Sequence, residues 1–173
     1  MALYQQGQFQ DVVTQGKSFL SEFPNVPSIL KLLGAANASL CNWKDAASLF
    51  RQASKLQPDD AEVHVNLGIA YSHLGNNGGA VLSLKRAIQL KPDDAEAHNS
   101  LAIALSELGK HDEAINGFKK TLELMPKRVE AHNNLGIALS HLKRFKEAVS
   151  SFQRALALKP DFATAHNHLG IAL

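Results

Sequence analysis

The chain has 173 residues, 45% of them hydrophobic, and carries 18 Lys and Arg against 16 Asp and Glu for a formal net charge of +2. Such a chain buries a substantial core, which excludes disorder, and its small positive surplus does not supply the dense phosphate neutralisation that nucleic-acid binding needs. Cys41 is the single cysteine, so no intrachain disulfide forms, and Met1-Ala2-Leu3-Tyr4-Gln5-Gln6 opens neither a secretory signal nor a membrane span; a cytoplasmic protein with no membrane segment is expected.

Residues 1–26 read as a degenerate helical unit that starts late, with Leu3, Phe9, Val12 and Phe19 as its apolar face and Pro24 closing it. From Pro24 onward the prolines keep a fixed interval: Pro24, Pro58, Pro92, Pro126 and Pro160 are each 34 residues from the next. A fixed period of that length marks an array of repeats. It frames four complete units, 27–60, 61–94, 95–128 and 129–162.

Within each unit the fourth residue is Leu30, His64, His98 or His132, and the seventh and eighth are Leu33-Gly34, Leu67-Gly68, Leu101-Ala102 and Leu135-Gly136. The small eighth residue lets two helices approach closely. Ala46, Ala80, Ala114 and Ala148 follow, each with a bulky apolar residue four later at Phe50, Leu84, Phe118 and Phe152, which is helical spacing. Two helices per unit are predicted. Asp59-Asp60-Ala61-Glu62 and Asp93-Asp94-Ala95-Glu96 look like capping boxes that start first helices, just after a proline that cannot continue the preceding helix. Gly75 and Gly109, with Cys41 and Lys143 in the equivalent places, mark a short turn between the two helices. Gly78-Gly79 makes helix 77–90 the softest expected in the array. Residues 163–173 repeat Ala165-His166-Asn167 and Leu169-Gly170-Ile171-Ala172-Leu173 from the unit before, as the first helix of a further unit or as a capping helix. The apolar Ile171 and Leu173 favour the former, in a longer array cut short.

This pattern resembles the tetratricopeptide repeat family, whose signature is a 34-residue helix–turn–helix with Leu-Gly, then Ala, then an aromatic residue, then Pro. The resemblance covers nearly the whole chain. It implies an all-α fold, a right-handed superhelical solenoid of helix pairs, and a concave groove lined by the first helices that binds extended peptides. The departures are His where the family often has Trp or Tyr, Leu84 in place of the aromatic, and the Asn77-Gly78-Gly79 helix start.

The family lines its groove from the second, fifth, sixth, ninth, twelfth and thirteenth residues of the unit. Here the sixth gives Leu32, Asn66, Ser100, Asn134 and His168, and the ninth gives Ala35, Ile69, Ile103, Ile137 and Ile171. A polar ladder therefore runs beside an apolar one. An Asn amide both donates and accepts, so it can grip a peptide backbone whatever the side chains, while the isoleucines supply apolar contact. Asn99 and Asn133 at the fifth position, and His73, Glu107 and His141 at the thirteenth, complete the candidate surface, and Glu62, Glu96 and Glu130 give it negative charge. The same asparagines are also what a merely solvated helix face carries. A chaperone-tail receptor of this family uses a Lys and Asn carboxylate clamp, and Ala35, Glu96 and Ser100 fail its positions.

The expected function is thus a non-catalytic scaffold that binds a protein segment, with no cofactor and no metal. The asparagine ladder, with Glu130-Ala131-His132-Asn133-Asn134-Leu135-Gly136 and Leu158-Lys159-Pro160-Asp161-Phe162, also resembles the repeats of O-linked N-acetylglucosamine transferases. That resemblance implies the alternative of a substrate-recruiting region of a larger enzyme. Self-association through exposed array ends is a third reading. Other motifs carry less. The recurring histidines fill one packing slot per repeat, and no His-Glu-x-x-His is present. Gly16-Lys17-Ser18 lacks the first glycine of a phosphate loop, with Asp11 in its place. Asn37-Ala38-Ser39 lies inside a predicted helix, and Lys119-Lys120 and Lys143-Arg144 decorate a solvated surface.

Overall fold

The computed structural model describes residues 2–173, and among them there is helix and turn but no strand. The helices fall into two compact units, Met1–Pro92 and Asp93–Leu173.

The first unit holds α1 (Ala2–Gln5), α2 (Phe9–Glu22), α3 (Pro27–Ser39), α4 (Trp43–Leu56), α5 (Ala61–His73) and α6 (Asn77–Leu90), each packed on the next. The second holds α7 (Ala95–Glu107), α8 (His111–Leu124), α9 (Val129–His141), α10 (Phe145–Leu158) and α11 (Ala163–Ala172), packed in the same way. Turns of three residues join α3 to α4, α5 to α6, α7 to α8 and α9 to α10, so each pair folds back on itself. Their central residues are Cys41, Gly75, Gly109 and Lys143, with φ of 58, 72, 75 and 59°. The left-handed conformation is therefore a property of the turn, which Cys41 and Lys143 adopt at a cost that glycine avoids.

First helices start by several devices. Pro27 sits in the first turn of α3 after an extended Val26. Asp60 caps α5 by accepting from the Val63 N–H, and Asp94 caps α7 by accepting from the Glu96 and Ala97 N–H groups. The expected capping boxes are thus one-sided. The cap is the second aspartate of each pair, and the glutamate two residues on turns outward to a cation instead: Glu62 to Lys31 at 2.9 Å and Glu96 to Arg128 at 2.7 Å.

The core follows the repeat. Ala46, Ala80, Ala114 and Ala148 are fully buried, and Phe50, Leu84, Phe118 and Phe152 are at most 2% exposed. The eighth-position glycine makes room for that bulky side chain rather than for another backbone. A Cβ on Gly34 would lie 2.6 Å from the Phe50 ring, and one on Gly136 would lie 2.5 Å from the Phe152 ring. Unit 95–128 has Ala102 at this position and solves the crowding elsewhere: Gly117 leaves space for the Ala102 methyl, which a Cβ there would meet at 2.8 Å.

The apolar face expected in residues 1–26 is only partly formed. Val12 is buried with Val13, Leu3 and Phe9 pack against them, but Phe19 is 43% exposed. The register explains this, because Gly16 stands 34 residues before Phe50 and Phe19 stands 34 before Ala53. The aromatic ring is displaced by about one turn, from the seam between helices to its rim.

Candidate functional site

The second, ninth and thirteenth residues of a first helix are seven and four apart, so they form one stripe along it. In the first unit this stripe holds Ile69 with Asn66 beside it on α5, both half-buried. In the second unit it holds Ile103 on α7 and Ile137 on α9, both half-buried, with Asn134 half-buried alongside and Ile171 74% exposed on α11. Glu96, Glu107 and Glu130 are exposed at the ends of α7 and α9. The α7–α9 face therefore offers apolar contact area flanked by carboxylates.

Other candidates lie deeper than the sequence implied. Asn99 and Asn133 are each 4% exposed and Ser100 is 8% exposed, so they belong to the seams between helices. The Asn133 amide donates to Asn134 Oδ1 at 3.4 Å, and its own Oδ1 lies 3.1 Å from His168 Nδ1, which donates to it. Asn133 thus joins α9 to α11, and its partner His168 also packs against the Phe152 ring. Asn99 Oδ1 is buried and finds no hydrogen-bond partner among the described residues. Ser100 Oγ is turned to Glu96 at 3.4 Å on its own helix.

The thirteenth-position residues take a role that the sequence did not announce. His73 stacks on Trp43 with ring centroids 3.7 Å apart and 7° between planes, and His141 stacks on His111 at 4.3 Å and 3°. Each stack joins the start of one repeat's second helix to the end of the next repeat's first helix, 30 residues on. Burial and the neighbouring His141 hold the His111 imidazole below its usual value, against the pull of Asp112. Glu107 is exposed, and among the described residues it has no ion-pair partner.

The recurring fourth-position histidine is a clasp and not a packing filler. His64, His132 and His166 donate through Nε2 to the carbonyls of Pro58, Pro126 and Pro160 at 2.9, 2.9 and 2.8 Å. The proline that ends one repeat is thereby tied to the first helix of the next. Lys31 adds a charged tie to Asp60 at 2.8 Å. That bond raises the Lys31 pKa; for Asp60, burial opposes ionisation, but the bonds from Lys31 and the Val63 N–H outweigh it and hold the carboxyl below its usual range.

The structure also shows a feature missed in the sequence. An apolar hollow in the first unit is lined by Leu3, Val12, Gly16, Phe19, Ile29 and Leu32. Its signal was legible as Gly16 in the register of Phe50. Among the described residues, no group of three His, Cys, Asp or Glu side chains is placed to hold a metal ion, and no helix is long and apolar enough to cross a membrane. Gly16-Lys17-Ser18 lies inside α2, where Gly16 abuts Leu33.

Two family models, both described as Tetratricopeptide repeat, match residues 41–104 and 93–161. No curated protein sequence matches. Among solved structures, MamA is 27% identical over 94% of this chain and 95% of its own, with a TM-score of 0.86. MamA from Desulfovibrio magneticus RS-1 is 21% identical over 94% of this chain and 92% of its own, with a TM-score of 0.86. YrrB, described as a TPR protein with an unusual peptide-binding site, is 20% identical over 96% of this chain and 86% of its own, with a TM-score of 0.85.

Proposed function

Because the chain belongs to the tetratricopeptide repeat family and has its all-α fold of paired helices, we propose that it is a non-catalytic scaffold that binds an extended segment of another protein. Each unit offers a first-helix face of its own: Ile69 lies on that of the first unit, and Ile103 and Ile137 lie on that of the second. One observation carries this reading: after the cores and the ties between repeats are formed, each of these helices leaves a half-buried isoleucine at its surface, beside a half-buried asparagine on α5 and α9 and between Glu96 and Glu107 on α7. Half-buried isoleucines give a ligand apolar area to cover, and Asn66 and Asn134 are accessible enough to exchange hydrogen bonds with its backbone. YrrB, a protein of this fold, is described as having an unusual peptide-binding site.

The test is affinity capture with the chain as bait, comparing three proteins. The Asn134→Ala/Ile137→Ser variant should recover at least tenfold less partner than the parent at equal helicity. Lys119→Ala, exposed on α8, should recover as much as the parent. Equal recovery by all three would move the site off the first-helix face.

A further inference from the structure

The charge on the second unit's first helices is one-sided. The sequences of α7, α9 and α11 contain no Lys or Arg, while α7 and α9 carry Glu96, Glu107 and Glu130. Glu96 is neutralised by Arg128 at 2.7 Å. Glu107 and Glu130 are exposed, and among the described residues neither has an ion-pair partner. Arg128 is held by Glu96 and Lys110 by Glu113 at 3.3 Å, while Lys127, three residues before Glu130, is exposed in the turn that precedes α9. Two unpaired carboxylates therefore stand at opposite corners of a face whose centre is Ile103 and Ile137.

The spacing of those corners is fixed by helix geometry. Glu107 is the thirteenth residue of its repeat and Glu130 the second of the next, so along the parallel axes of α7 and α9 they are eleven positions apart, about 16 Å at 1.5 Å per residue. Adding a lateral step of roughly 10 Å between neighbouring helices gives a diagonal of about 19 Å. An extended chain covers that in about six residues. The diagonal passes between Ile103 and Ile137, which sit at the same height on their helices, and past Asn134.

We propose that the ligand of the α7–α9 face is a cationic segment: an extended stretch with two basic side chains about six residues apart, one for Glu107 and one for Glu130, and apolar residues between them for the isoleucines. This rests on the reading of the first-helix face as the binding site. The carboxylates give orientation and rate of encounter, and the isoleucines give the contact area. The chain's overall charge of +2 does not favour a cation, so a preference for one reports a local acidic site.

The experiment is fluorescence anisotropy of the full chain with three labelled twelve-residue peptides at low ionic strength. The first has two lysines six residues apart around an apolar stretch, the second has glutamates in their place, and the third has the lysines adjacent. The first should bind at least tenfold more tightly than the second and severalfold more tightly than the third, and should weaken severalfold between 0.05 and 0.5 M salt. Glu107→Gln/Glu130→Gln, two exposed substitutions that leave helicity unchanged, should bring the first and second peptides within about twofold. Equal binding of the lysine and glutamate peptides, or lysine-peptide binding undiminished in the variant, overturns the charge pairing and leaves the scaffold reading standing. Failure of all three peptides to bind overturns the cationic-segment proposal, and the capture experiment then decides the scaffold reading separately.

Discussion

Helix α6 begins Asn77-Gly78-Gly79, and the two glycines do different things although their propensity cost is the same. A Cβ on Gly78 would meet nothing within 4 Å, so Gly78→Ala gains helix propensity without a clash, about 0.5–1 kcal/mol. Gly79 is built into the cap. Its N–H donates to Asn76 Oδ1 at 3.0 Å, and a Cβ there would fall 2.7 Å from the same side chain's Nδ2. Asn76 can swing away from an added methyl, but only by giving up the cap, which costs about 0.5–2 kcal/mol. Gly79→Ala should therefore be neutral or destabilising. Stability in a repeat array is local, so the assay is native-state amide exchange resolved by helix. In the parent, α6 should exchange faster than α8. Gly78→Ala should slow exchange of the α6 amides about two- to fivefold with α8 unchanged, and Gly79→Ala should leave α6 as fast as in the parent or faster. Equal slowing by both substitutions would show that the Asn76 cap contributes nothing, and equal protection of α6 and α8 in the parent would refute the softness of α6.

Two further predictions come from the second unit. Gly117→Ala should lower stability by about 1–3 kcal/mol by driving its methyl into that of Ala102, and Ala102→Gly in the same chain should restore most of it; additive losses in urea melts would refute the contact. The folded His111 pKa lies below its unfolded value near 6.5, so its contribution is present above that pH and is lost as the pH falls through the folded value. The urea midpoint should therefore fall between pH 7.5 and 5.5. His111→Phe, which keeps a ring against His141, should reduce that fall, and an identical fall in both proteins would count against the stack as its source.

The repeat itself was legible because its signals are obligatory. A proline must end each second helix, a small residue must face each ring, and both recur at one interval whatever the surface carries. The candidate face was legible only as a stripe. Asn133 and Asn134 are adjacent and of one type, yet one is buried between helices and the other half-exposed, because one residue turns the side chain by about 100° around the axis. Whether that turn crosses into the seam depends on how closely the next helix lies, which no spacing within one helix reports. The histidine clasp escaped for a related reason, since its partner is a carbonyl and carbonyls carry no sequence identity. The ring stacks did have a signal, a repeated 30-residue interval from Trp43 to His73 and from His111 to His141, but it joins different positions of successive repeats and is invisible when each repeat is read against its own period.

That division of labour separates the positions that folding commits from those left for the proposed binding site. The seventh, eighth, twentieth and twenty-fourth positions are committed to the core, and the fourth to the core at Leu30 or to the proline clasp at His64, His132 and His166, so their near-identity from unit to unit follows from folding alone. The outer residues of the second helices, such as Lys85, Lys119 and Lys146, are exposed and charged, and long solvated side chains of that kind lose as much in ordering as they gain in contact. The ninth position is isoleucine in three successive units and supplies area without discrimination. What varies is the sixth position, where Asn66 and Asn134 are half-buried but Ser100 is buried, and the charge at the thirteenth, which is Glu107 in one repeat and the stacked His73 and His141 in the repeats before and after it in sequence. A stacked histidine is tied to a neighbouring ring, whereas Glu107 is free to meet a ligand. On the proposed first-helix site, selectivity between partners would therefore rest on the few accessible polar side chains.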